Sequence, residues 1–186
     1  MLALLTLAAI AADEPAVRIE AAGRLRHGVV SIGGETTGTT LTVGAVVWEV
    51  QLRPQDAAFA DANNKRPVEI TGTVRKVKGV ESGPRWIIDV TDLAAADAKT
   101  FKERAKVRIA GTLSAGGRAC DGVSDLAVEA DGQTWPIAFP DGPDRKAAAE
   151  QRVGQPVTVT GTLFETAQEN QCSPATVRVE KLTPRD

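Results

Sequence analysis

The sequence predicts a mainly β chain in which one unit of five strands and a short helix occurs twice in tandem. Three observations predict it. Short β-branched runs alternate apolar with polar residues and are cut by Gly, Pro, Asn and Asp, the periodicity of strands. These runs recur at nearly constant spacing in the second half of the chain. An Ala-rich segment of helical composition interrupts both copies at the same point.

The first strand of each copy is marked by Gly23-Arg24-Leu25 and by Gly111-Thr112-Leu113. Trp48 with Val50 in the first copy corresponds to Trp135 with Ile137 in the second. The helical segments follow, 54–62 and 143–151; both open on Pro, which a helix accepts in its first turn, and both lack β-branched residues. The next strand gives the strongest match: Pro67, Val68, Thr71, Gly72 and Thr73 reappear in register as Pro156, Val157, Thr160, Gly161 and Thr162. Ile88, Val90 and Leu93 then stand at the same distances from Gly72 as Val177, Val179 and Leu182 from Gly161. Glycine inside a strand marks a sharp bend or a close approach of backbones, so Gly23, Gly72, Gly111 and Gly161 are read as corner residues. Trp48 and Trp135, being equivalent, are read as core.

Strand-strand-strand-helix-strand-strand resembles the OB-fold, a five-stranded Greek-key barrel with a helix at one end. The resemblance implies two tandem OB-like barrels, residues 16–93 and 105–184. Residues 94–104 between them have high helix propensity with basic residues toward the end, and are read as a helical linker.

The N-terminus, residues 1–12, is an apolar run with small residues at its end, followed by Asp13-Glu14-Pro15. That pattern predicts a signal peptide and an exported protein, periplasmic or extracellular, with no transmembrane segment in the mature chain. Cys120 and Cys172 fit an oxidising compartment. In the OB resemblance they fall in loops on one side of the second barrel, which implies a disulfide worth roughly 3–5 kcal/mol in the chain-entropy model. A metal site is not expected from two thiols without further ligands, and no cofactor is expected. The acidic run Asp121, Asp125, Glu129 and Asp131 does not follow the calcium-loop spacing.

No phosphate-binding loop, dinucleotide fingerprint or nucleophile elbow is present, and His27 is the single histidine. An enzyme would need His27 beside a carboxylate such as Glu20 or Glu81, and the chain is read as non-enzymatic. One basic cluster stands out in the first copy: Arg24, Arg26 and His27 close its first strand, and Arg75, Lys76, Lys78, Arg85 and Trp86 flank a Gly-rich turn. Two readings are open. The cluster is an anion-binding patch, or it is a set of outward strand charges that guard a sheet edge. The net charge of −2 and the aromatic content of 4%, with no tyrosine, weigh against phosphate neutralisation and base stacking. The expected partner is therefore a protein or an envelope glycan, with single-stranded nucleic acid as the alternative.

Overall fold

The computed structural model describes residues 16–30, 36–44, 46–78, 84–116, 126–140, 142–164 and 176–185. Residues 1–12, Glu81, Cys120 and Cys172 lie outside that set, so the signal-peptide and disulfide readings do as well. Strand β1 (Val17–His27) obeys its alternation, with Val17, Ile19, Ala21 and Leu25 buried and Arg18, Glu20, Arg24 and Arg26 exposed. It is followed by β2 (Thr39–Val43), β3 (Val46–Gln51), a 3-10 turn (Pro54–Asp56) leading into α1 (Ala57–Ala62), β4 (Pro67–Lys78) and β5 (Pro84–Ala95). β1 pairs with β2 and with β4, β2 pairs with β3, β3 runs parallel to β5, and β5 pairs with β4. Those pairings close five strands into a barrel.

The second half contributes β6 (Arg104–Ala115), β7 (Leu126–Ala130), β8 (Gln133–Ala138), α2 (Pro143–Glu150), β9 (Pro156–Phe164) and β10 (Thr176–Pro184). Its pairings follow the same order: β6 with β7 and β9, β7 with β8, β8 parallel to β10, and β10 with β9. The protein is thus mainly β, with a closed five-stranded barrel and two short helices, and its fold resembles the OB-fold.

The four repeated glycines have a common cause. A Cβ at Gly23 would overlap the carbonyl oxygen of Thr42, at Gly72 that of Asp89, at Gly111 that of Glu129 and at Gly161 that of Arg178. Each lets a neighbouring strand come closer than any side chain allows. Trp48 and Trp135 are buried on the inner faces of β3 and β8, as expected. At the start of α1 the Arg53 guanidinium donates to both carboxylate oxygens of Asp56, at 2.7 and 2.9 Å, and also to the Thr91 carbonyl on β5. The hydrogen bonds from Arg53 hold the Asp56 carboxyl below the ordinary carboxylate range.

The helical linker is corrected. β5 continues as strand through Ala95, with Ala94 opposite Glu69 and Ala95 opposite Val68, and residues 98–100 form a turn. Pairing with β4 overrides the helix propensity of the alanines.

The two halves join through their first strands. Val17 to Ala22 of β1 lie antiparallel to Ile109 to Arg104 of β6, which merges everything into one ten-stranded sheet. Gly23 matched to Gly111 makes Ile19 equivalent to Val107, and these two residues oppose each other in the ladder. The pair Val17–Ile109 recurs as Ala21–Ala105, so a pseudo-two-fold axis runs through the Ile19–Val107 pair. The buried faces of β1 and β6 lie on the same side of this ribbon, and one apolar cluster runs through both halves. Trp86 of β5 and Trp135 of β8 meet inside it, ring centroids 4.7 Å apart at 52°.

Candidate functional site

The outward face of β1, β2 and β3 is built by strand alternation. Leu25, Leu41, Trp48 and Val50 point into the core, leaving Arg24, Arg26, Thr40, Thr42, Val47 and Glu49 outside. The registers set them in two rows. Arg24, Thr42 and Val47 are opposite one another across three strands, and so are Arg26, Thr40 and Glu49. Val47 is 63% exposed, an apolar side chain between polar neighbours on an open face.

Most cations of this face have an acid beside them. Arg85 Nε lies 3.3 Å from Glu49 Oε1, and Arg24 Nε lies 3.8 Å from Glu103 Oε1. Glu49 also accepts a hydrogen bond from the Thr37 backbone N–H at 3.1 Å, which fixes the carboxylate against the end of the β1–β2 connection. His27 Nδ1 is 2.6 Å from the Thr39 hydroxyl, and its Nε2 is 3.7 Å from Asp61. Among the described residues the carboxylate beside this imidazole is thus that of Asp61, not Glu20, while Glu81 lies outside the described residues. Among the described residues no group of three or more His, Cys, Asp or Glu side chains assembles to hold a metal.

The cluster marked by sequence is therefore divided. Arg24, Arg26, His27 and Arg85 surround the β1–β2–β3 face. Arg75 lies on the outer side of β4 and β5, where its Nε donates to Asp89 at 2.6 Å. Trp86 is 8% exposed and packed on Trp135, so its ring is core rather than a stacking surface. Lys76 and Lys78 sit on β4 opposite Trp86 and Pro84.

No protein-family model and no curated protein matches the sequence. Solved structures do match its fold. The wild-type single-stranded DNA binding protein from Thermus aquaticus superposes with a TM-score of 0.56 at 13% identity, over 91% of this chain and 93% of that one. A deletion mutant of the same protein gives a TM-score of 0.55 at 14% identity, over 91% and 94%. At such identity the likeness is one of fold, and it agrees with the OB-fold resemblance.

A second charged surface escaped the sequence reading. On the outer side of the β1–β6 ribbon Arg18 opposes Arg108 and Glu20 opposes Lys106. These four residues, with Thr160 of β9, line a shallow groove of about 230 Å³. Period-two alternation in Arg18-Ile19-Glu20 and Lys106-Val107-Arg108 does place these charges outward. Only the pairing of β1 with β6 brings them together, and no residue pattern within either copy announces that pairing.

Proposed function

We propose that the protein binds single-stranded nucleic acid through an OB-type scaffold. This corrects the expectation of a protein or glycan partner with nucleic acid only as the alternative; the expectation of export is a separate matter that it leaves as it stands. What overturns that partner reading is the likeness, over 91% of this chain, to structures of a single-stranded DNA binding protein. Net charge was a poor guide, because an overall balance says little about how cations are distributed over one face.

The observation that carries the proposal is the extent of the likeness, nine-tenths of both chains, rather than one shared barrel. It also supports a tandem reading, in which residues 16–93 and 105–184 are two OB units that share a sheet. The repeated glycines and the repeated strand order favour the same division. In the first unit, the face with Arg24, Arg26, Thr40, Thr42 and Val47 offers cations for phosphates and an exposed apolar side chain for a base. Arg85 and Glu49 serve there as a positioned ion pair at its edge. The scarcity of exposed aromatics predicts modest affinity, since base stacking on aromatic rings contributes about 1–3 kcal/mol per base elsewhere.

Fluorescence anisotropy with a labelled oligothymidylate tests the proposal. Binding that weakens steeply between low and moderate salt is expected. Absence of salt-sensitive binding refutes it.

A further inference from the structure

We infer that the recess between α2 and β10, in the second half of the chain, is a site for a phosphate monoester held by Arg145, Arg152 and Lys181. The inference is independent of the nucleic-acid reading and names a second binding place.

The recess has a volume of about 390 Å³ and is bordered by these three cations, the Phe139 ring and Glu180. Arg145 is held in place there. Its Nη2 donates to the Glu180 carbonyl oxygen at 2.8 Å, and its guanidinium carbon lies 5.8 Å from the centroid of the Phe139 ring. Among the described residues no carboxylate forms an ion pair with Arg145, Arg152 or Lys181. Glu180 is the acid at the border, and its carboxylate is engaged on the neighbouring strands. It accepts from the Thr162 hydroxyl of β9 at 2.8 Å and lies 3.9 Å from Lys106 Nζ of β6. Even with Glu180 counted, the recess keeps an excess of positive charge.

The same place in the first copy carries the opposite charge. By the match of Pro54 with Pro143 and of Gly72 with Gly161, Arg145 stands for Asp56, Arg152 for Asn63 and Lys181 for Asp92. The Thr91 carbonyl, equivalent to that of Glu180, also receives a guanidinium, that of Arg53, which Asp56 neutralises through two hydrogen bonds. Both copies thus keep a guanidinium on one carbonyl, and only the second has dropped the carboxylate. It has also made room, because Ala148 lines the recess where the first copy has Phe59 packed against the core. Anchoring the strand explains Arg145, but it does not explain two more cations beside it, whose repulsion works against a compact fold. A phosphate monoester answers the arrangement. It carries a charge of about −1.5 to −2 at neutral pH and three strong acceptor oxygens, so it can take donors from α2, the turn after it and β10 together. A carboxylate has one charge, and a single guanidinium fork satisfies it in plane.

Calorimetric titration of the full chain with thymidine 5′-monophosphate at low salt is the test, with thymidine and an oligoglutamate as the other probes. The monophosphate should bind and the other two should not. Lys181→Asp and Arg152→Asn each install the first copy's residue at a position that is not buried, so the fold should tolerate them, and each should weaken binding about tenfold. Lys99→Glu makes the same charge change as Lys181→Asp on the exposed turn at residues 98–100 and should leave binding nearly unaltered. No binding of the monophosphate, or undiminished binding by both recess variants, overturns the site. Equal weakening by Lys99→Glu overturns it too, because net charge alone would then explain the effect. Equally tight binding of the oligoglutamate would assign the recess to an acidic protein segment and overturn the phosphate. A thymidylate oligonucleotide with a 5′ phosphate separates the sources of the monoester. If it displaces the monophosphate and its 5′-hydroxyl counterpart does not, the end of a strand occupies the recess; if neither does, a free nucleotide does. Equal displacement by both overturns the requirement for a monoester.

Discussion

A repeat compared with itself shows where single residues are well placed and where they are strained. Leu25 and Leu113 each bond through both backbone groups to the turn before the fourth strand of their half. That turn has a residue with positive φ in both copies, Gly154 at +86° and Lys65 at +65°. Glycine adopts that conformation freely, whereas a side chain at Cβ resists it. Lys65→Gly should therefore raise stability, by up to about 1 kcal/mol once the greater entropy of the unfolded glycine is deducted. Urea unfolding measures it, and a loss of stability would show that Lys65 contributes contacts that outweigh the strain. The repeated strand glycines predict the opposite sign. At Gly111 a Cβ would meet the Glu129 carbonyl oxygen and a Val128 methyl carbon, neither of which can swing aside. Gly111→Ala should cost about 2–3 kcal/mol as an overpacked position. An unchanged urea midpoint would mean that β6 and β7 separate at little cost. These glycines and the two equivalent tryptophans were legible in the sequence because a backbone contact or a buried ring constrains one position in each copy. The basic cluster was less legible. Its partners Asp89, Glu49 and Glu103 stand across strands, where nearness along the chain gives no guide.

At the scale of elements, alternation identified the strands, and opening prolines identified the two helices, because those signals are local. The segment after Leu93 shows the limit of local signals. Alanines favour helix in isolation, yet β4 presents a free edge as far as Val68 and Glu69, and the chain completes that ladder before turning at residues 98–100. Hydrogen bonding to an existing strand costs little extra ordering, whereas a short helix must nucleate alone. Ala95→Val separates the two descriptions by experiment. Ala95 is exposed, so the substitution tests propensity more than packing. A β-branched residue there should leave the melting temperature unchanged or raise it slightly, by a few tenths of a kcal/mol in stability. A clear decrease would favour a helical segment.

At the scale of the whole molecule, the ladder between β1 and β6 decides how the halves behave. Six cross-strand pairs join them, and Val17, Ile19, Val107 and Ile109 on the ribbon's inner face are almost wholly buried. Trp86 and Trp135 continue that core from one half into the other. Neither half can open without exposing apolar surface of its neighbour, so separate unfolding of two beads on a tether is not expected. Tryptophan fluorescence, which reports largely on this shared core, and far-UV circular dichroism, which reports on all strands, should follow one coincident transition in urea. Ile19→Asp, at the pseudo-two-fold centre, would place a carboxylate where the inner face is dry, and it should lower that one transition for both probes together. If the fluorescence midpoint moved while the dichroism curve split into two steps, the halves would be independent domains. The ribbon would then be a contact between them rather than the spine of one fold.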